Sequence, residues 1–420
     1  MRELCEAPYE FDQVLCGVAQ RLEAICSLLE TGLMDRSPDV ITTFTMIVFR
    51  FCRLLFQLEK SASVLSMFII STTYLHNVRE FHEELDHFAE LQNLVQHVGN
   101  WNDQWTQAET SVYQRMYEQL QTDKDLLHGL ETYKDKYKVL IRLDHEIRKL
   151  RRGTNNPTVV RNFEQVAARL AVVCKIEAPR APVWFIPFEA VERDKETGTG
   201  KWAKIQVAIC SVYESKEYFF QEKASRWYQL SHPNVQTLFG ACHISRPQFF
   251  VCEYGVSVLD ALESQNDDRQ LMWKYLLDAA LGVQYLHQRE IVHGDLRCEN
   301  IVIGSDQKAK IRALFDKVDH TCGRHLKYEY LNRRGLWRPT SMLLGSATPK
   351  QDRSIIRPIR LHYIRPRSFS DAEWDLVTKM CASEPAERVR IVYVVHQLKQ
   401  IATNDFLSSS AGQGSSKLHV

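Results

Sequence analysis

The sequence predicts an α+β chain, with an all-α region first and a mixed, strand-containing region second. Two observations carry this. Apolar residues over the first 153 positions recur at three and four, and no credible strand interrupts them. From Val183 onward, short β-branched and aromatic runs such as Val207-Ala208-Ile209 and Phe249-Phe250-Val251 take over.

In the first region Phe11, Leu15, Val18, Leu22, Ile25 and Leu29 form one helical face, closed by Thr31-Gly32. Residues 39–58 predict a second helix with Arg50 and Arg53 on its wet side. A third is expected over 63–98, striped by Phe81, Leu85, Phe88 and Leu91 and ended by Gly99-Asn100. A fourth, long helix is expected over 108–150, with Val112, Met116, Leu120, Leu127, Leu130, Tyr137 and Ile141 as its face. Each helix must bury its stripe against another, which makes a bundle. His76, His82 and His87 lie near Glu83, Glu84 and Asp86, but not at metal-ligand spacing, so a solvated face is expected. Trp101 and Trp105 are expected to cap the core. The resulting organisation is a bundle at 1–153, a brace helix and stiff Pro-containing linker at 154–182, a mixed domain at 183–403, and a Ser/Gly-rich disordered tail at 404–420.

Composition narrows the function classes. Length alone suggests about three domains. The 420 residues carry a formal net charge of +1, which calls for neither nucleic acid nor a membrane surface. No signal peptide is evident in M-R-E-L-C-E-A-P-Y-E. The run from Ser61 to Val78 is broken by polar residues, which argues against a membrane span. The 11 cysteines hold no C-x-x-C pair and fit free thiols in a reducing, cytoplasmic setting.

The chemistry concentrates in Ile291 to Gly304, I-V-H-G-D-L-R-C-E-N-I-V-I-G. Asp295 can accept a hydroxyl proton, Arg297 can steady charge on a phosphoryl group, and Asn300 can help hold magnesium. This stretch resembles the catalytic loop of protein kinases, H-R-D-L-x-x-x-N, with Gly294 in place of the Arg. His232-Pro233-Asn234-Val235, Leu238-Phe239-Gly240-Ala241-Cys242 and the ending F-S-D-A-E-W agree in register. Together they look most like tyrosine-kinase-like Ser/Thr kinases of oomycete type. The resemblance covers about 183–402 and implies a bilobal protein-kinase-like domain. The preceding bundle resembles the helical bundles ahead of some plant and animal kinase-like proteins, including the mixed-lineage kinase-like family.

The resemblance also marks departures. Gly198 and Gly200 are expected in a plain turn, too close to the next strand to leave room for a phosphate-covering hairpin. Val207-Ala208-Ile209-Cys210 matches V-A-I-K with Cys210 at the lysine; Lys201 or Lys204 is the candidate substitute. Lys223 falls where the helical Glu belongs, with Glu222 one residue off. Cys252 is the gatekeeper. The resemblance places a nucleotide against Ala208, Cys210, Cys252, Glu253, Tyr254 and Val302. At D-F-G stand Ala313, Leu314 and Phe315, so Asn300 alone remains of the metal positions, with Asp316 three residues beyond Ala313. Trp337 to Phe369 is too short for the family's central helix, which implies a shortened C-lobe. Arg388 lacks its A-P-E glutamate. Thr321, Tyr328 and Tyr330 lie where activation-loop phosphorylation would occur.

These losses point to a pseudokinase that works by binding protein partners, and weigh against ATP and magnesium binding. The alternatives are an active Ser/Thr kinase using Lys204 and Asp316, and a bundle effector regulated by the kinase-like half.

Overall fold

A computed structural model of the chain describes residues 12–32, 34–58, 63–153, 156–194, 197–213, 217–265, 268–291, 293, 296, 298–312, 369–380, 387 and 389–413. It divides into two compact units, Met1–Ala190 and Val191–Val420.

The first unit is helical: α1 (Asp12–Thr31), α2 (Pro38–Leu58), α3 (Val64–Leu91), α4 (Val95–Val98), α5 (Asn102–Gln119), α6 (Asp123–Leu127), α7 (Tyr133–Gly153) and α8 (Pro157–Cys174). The expected stripes form its core: Leu15, Val18, Leu22 and Ile25 from α1 are buried with Phe81, Leu85 and Phe88 from α3. Leu91 is the exception, 65% exposed at the end of its helix. The long fourth helix is three helices. Thr122 caps α6 by accepting from the Asp125 N–H, and the Thr132 hydroxyl accepts from the Asp135 N–H at the start of α7. Between them Gly129 takes a positive φ of 79°, which ends a helix. The third helix likewise stops at Leu91, and α4 follows as a separate turn.

Helix α8 belongs to the same core. Asn156 caps it through the N–H groups of Thr158 and Val159, with Pro157 in its first turn. Phe163 stacks on Phe68 with ring centroids 4.1 Å apart. The segment after it is tied down: the Ala181 N–H donates to Asp144 Oδ2 at 2.8 Å, and Phe185 meets the His145 ring edge-on at 5.2 Å.

His82 departs from the expected solvated face. It is buried, stacked on Trp101 at 4.6 Å, with Trp105 edge-on at 5.8 Å. Arg21 donates to its Nδ1 at 3.1 Å and to its carbonyl at 2.9 Å, and pairs with Asp86, which also accepts from the Trp101 indole. The helix face that carries charged neighbours elsewhere turns this one ring inward.

In the second unit, β1 (Val191–Arg193), β2 (Thr199–Trp202), β3 (Ile205–Val212), β4 (Leu238–Cys242) and β5 (Gln248–Glu253) form an antiparallel sheet ordered β1-β2-β3-β5-β4. Helix α9 (Glu217–Tyr228) packs on it through Phe220, which stacks on Phe250 at 4.5 Å. Below come β6 (Val256–Ser257), α10 (Val258–Ser264), α11 (Arg269–Gln288), β7 (Ile301–Ile303) and β8 (Ala309–Ile311). Strands β6, β7 and β8 make a second sheet. Two further helices, α12 (Asp371–Met380) and α13 (Ile391–Gln413), close a core around Trp273, Leu276 and Ala280 of α11. Helix α13 continues into the stretch expected as a disordered tail; 414–420 lie outside the described residues. Among the described residues no helix is long and apolar enough to cross a membrane.

The hairpin judged to have no room is present. Arg193 pairs with Gly200 in β1–β2, and Trp202 pairs with Ile205 in β2–β3. A two-residue turn saves the space: Ala203 and Lys204 both take positive φ, 47° and 67°, the twist that suits a tight hairpin. Gly200 is required by close approach, since a Cβ there would lie 2.2 Å from the Glu192 carbonyl oxygen.

Candidate functional site

Three segments meet at the edge between the two sheets. The first is β3. Ala208 and Cys210 are two residues apart and so share a face. Cys252 on β5 pairs with Ala208 and joins them on that face. The Cys252 thiol donates to Cys210, which draws the Cys210 thiol down to about 7; the Arg312 guanidinium, with Nη2 3.6 Å from Cys210 Sγ, adds to this against the opposing effect of burial. Burial and its donor role push the Cys252 thiol well up.

The second segment is the hinge, Glu253 to Ser257. The Glu253 N–H donates to the Thr237 carbonyl at 2.9 Å, and its own carbonyl accepts from Gln236 Nε2 at 2.8 Å. Its carboxylate accepts from Lys310 Nζ at 2.5 Å. Tyr254 is 36% exposed. Gly255 runs so close to β7 that a Cβ would lie 2.9 Å from the Ile303 carbonyl oxygen and 3.0 Å from Val302 Cβ. Val302, buried, therefore faces the hinge.

The third segment is β8, carried to the sheet by H-P-N-V. Ile311 N–H donates to the Asn234 carbonyl at 3.0 Å, and the Ile311 carbonyl accepts from Gln236 N–H at 2.9 Å. The Asn234 amide donates to the Ala309 carbonyl at 3.1 Å. His232 stacks on Tyr285 of α11 at 4.6 Å. Gly282 of α11 lets this happen, since a Cβ there would lie 2.3 Å from the Asn234 carbonyl oxygen. Arg312 follows directly. Its N–H donates to the Asn300 carbonyl at 2.9 Å, and its carbonyl accepts from His293 Nε2 at 2.6 Å, which places the proton on that nitrogen. Asn300 and His293 are both buried.

Of the sequence-derived residues, Ala208 and Cys210 lie on β3 and Glu253 and Tyr254 in the hinge, while Cys252 of β5 pairs with Ala208, Val302 of β7 faces Gly255, and the Asn300 carbonyl accepts from the Arg312 N–H. Asp295, Arg297, Gly294, Ala313, Asp316, Thr321, Tyr328, Tyr330 and Arg388, and the stretch from Trp337 that implied a shortened C-lobe, lie outside the described residues. Glu222 and Lys223 are half-buried on α9, and Glu222 pairs with Arg226 at 2.6 Å. Lys204 sits in the β2–β3 turn, six residues from Cys210 along β3, or roughly 20 Å at strand rise. Lys201 lies opposite Gln206, on the face that Ala208 and Cys210 share but four residues along β3 from Cys210. Among the described residues no cluster of His, Cys, Asp or Glu could hold a metal.

Two residues escaped the sequence reading, Lys310 and Arg312. The signal was K-I-R closing β8: two cations two apart, aimed to one side of a strand whose Ile311 is buried.

A five-stranded antiparallel sheet with one helix, a hinge strand, and a helical lower half that holds His293, Cys298 and Asn300 is the arrangement the catalytic-loop resemblance implies. Residues 188–321 match the family described as protein tyrosine and serine/threonine kinase. The second unit is a protein-kinase-like domain. The kinase-like domain is similar to curated proteins of several kinds. It is 26% identical over 174 residues to spermatocyte protein spe-8 of Caenorhabditis elegans, covering 36% of this chain and 33% of that protein. It is 28% identical over 148 residues to mitogen-activated protein kinase kinase kinase dlk-1 of the same species, covering 33% of this chain and 16% of that one. It is 27% identical over 164 residues to human tyrosine-protein kinase Fer, covering 35% and 20%. The chain thus spans a third or less of these relatives.

Proposed function

We propose that the kinase-like domain is a pseudokinase of the tyrosine-kinase-like branch, acting in cytoplasmic signalling as a scaffold or switch through protein partners. One observation carries the reading. The residue at the β3 lysine position is Cys210, and its surroundings are built around a thiol, with the Cys252 thiol and Arg312 both bonded to it. Of the two candidate substitutes, Lys204 is held in the turn at the far end of the strand, and Lys201 lies across from Gln206, four residues along β3 from Cys210. Ala313 replaces the main magnesium ligand in the sequence, and Lys223 replaces the helical glutamate. These groups act on the same transferring phosphoryl group, and removing one such contact commonly costs about 2.7–4 kcal/mol of barrier, though losses within one constellation are not additive. The run L-F-G-A-C and H-G-D-L support the branch assignment.

The test is single-turnover transfer of labelled phosphate from ATP to a generic protein substrate, with Asp295→Ala as control. No transfer above the control is expected. Clear transfer that disappears in Asp295→Ala would establish the active-kinase reading instead.

A second reading has one observation behind it. Helix α2 leaves Ile41, Met46 and Phe49 exposed at 43%, 55% and 65%, an apolar face suited to a partner or membrane surface. Under it the bundle is the effector. Failure of the full chain to sediment with anionic liposomes would remove the membrane version.

A further inference from the structure

We infer that Arg312 takes over the cation position vacated at Cys210, so that the cleft binds the phosphates of a nucleotide as a bare anion, without a metal ion. This rests on the pseudokinase reading above and names a ligand class for its cleft.

The argument begins with what Arg312 touches. Its Nη2 reaches Cys210 Sγ at 3.6 Å, across 102 positions of sequence. The kinase family's lysine contacts nucleotide phosphates from that strand position. The guanidinium therefore stands beside the root of the missing side chain, having come from β8 and not from β3. Its backbone is fixed on both sides, by the Asn300 carbonyl and by His293. The charge is thus presented from a rigid element.

The second observation is what Arg312 lacks. Its Nε is buried and has no hydrogen-bond partner. Among the described residues no carboxylate lies within ion-pair distance of it. Lys310, two residues earlier, shows the contrast: it is held by Glu253 at 2.5 Å and Asp306 at 3.3 Å. Buried donors on a charged group are rarely left unmatched, because the desolvation is not repaid. A guanidinium offers its donors as a planar fork that matches the oxygens of a phosphate. An oxyanion entering the cleft would take the free Nε–H and displace Cys210 Sγ from Nη2. Nothing in this arrangement calls for magnesium, whose main protein ligand is absent from the sequence at Ala313.

The experiment uses the full chain and calorimetric titration with ADP and with adenosine, both in EDTA. Wild-type protein is expected to bind ADP more tightly than adenosine. Arg312→Ala should weaken ADP by about tenfold or more, the value of one charge-assisted contact, while leaving adenosine unchanged. Arg312→Gln, which keeps much of the stem, covers the case in which the alanine variant does not fold. Moving the charge back, in Cys210→Lys with Arg312→Ala, should restore the preference for ADP. The inference is overturned if wild type shows no preference for ADP over adenosine, if neither Arg312 variant lowers it, or if adenosine binding falls in parallel. Phosphoryl transfer measured on the same wild-type preparation, with ATP and excess magnesium in place of EDTA, separates this from the parent reading. Transfer would end the pseudokinase reading, whereas a missing ADP preference ends only this one.

Discussion

Lys310 Nζ donates to Glu253 Oε1 at 2.5 Å, joining β8 to the first residue of the hinge. Both side chains are largely buried, 9% and 21% exposed. Burial acts to lower the lysine's pKa, but the hydrogen bond and charge of Glu253, with Asp306, outweigh it and the net direction is up. Lys310→Met leaves the Glu253 carboxylate without its cation. A loss of about 2–3 kcal/mol in urea denaturation of the second unit is expected, since breaking one side of a part-buried pair strands the other. Glu253→Gln should cost less, because the amide still accepts from the lysine.

Gly200 gives a steric prediction. Its missing Cβ would sit 2.2 Å from the Glu192 carbonyl oxygen and 2.6 Å from Ile209 Cδ1. Gly200→Ala must push β1 off β2 or displace Ile209. A destabilisation of about 1–3 kcal/mol is expected, read as faster amide exchange at Ile209, whose N–H donates to the Gly198 carbonyl.

The first unit should weaken in mild acid. Burial, and then the charge of Arg21, hold the His82 ring down to about 4, with Asp86 partly opposing; burial and nearby lysine and arginine charges hold His145 to about 4 as well. A base whose folded pKa is depressed binds fewer protons folded than unfolded between about 4 and 6.5, so stability falls as pH drops through that window. His82 contributes on the order of 2 kcal/mol between pH 6.5 and 5. His82→Gln, which can still accept from Arg21, should flatten the urea midpoint against pH. An unchanged slope would show that the ring takes up its proton in the folded bundle as readily as in the unfolded chain.

The Cys210 thiol should ionise early. The Cys252 hydrogen bond is the largest influence on it and Arg312 assists, bringing it to about 7 from an ordinary 9.0. Its rate of alkylation by iodoacetamide, followed by peptide mass spectrometry, should rise with a midpoint near 7. Cys252→Ala and Arg312→Gln should each move that midpoint up. A depressed thiol adds stability that is fully present above the unfolded value and is lost as pH falls through about 7.

Much of the fold can be read from period alone. The stripes of α1 and α3 and the β-branched run of β3 place themselves, because burial on one face demands them. The break of one long helix into α5, α6 and α7 is hidden because Val112, Met116, Leu120 and Leu126 stay apolar across the turn. The capping threonines, Thr122 and Thr132, each with Asp three residues on, were the available signal. His82 looked solvated because its sequence neighbours are charged, and only Trp101 and Trp105 folding over it turn it inward. At the candidate site, motif spacing singles out Cys210, Glu253 and Asn300 as candidates. It cannot locate Arg312, whose contact with Cys210 depends on two sheets being joined by Asn234 and Ile311.

The central claim is a kinase frame that keeps a cation for phosphate and has shed the metal. It is tested most directly by titrating ATP into the full chain in EDTA and again in excess magnesium. The account predicts that magnesium leaves the affinity unchanged or lowers it, because the ion neutralises the oxygens that Arg312 would hold. Magnesium that tightens binding by about tenfold or more would contradict it.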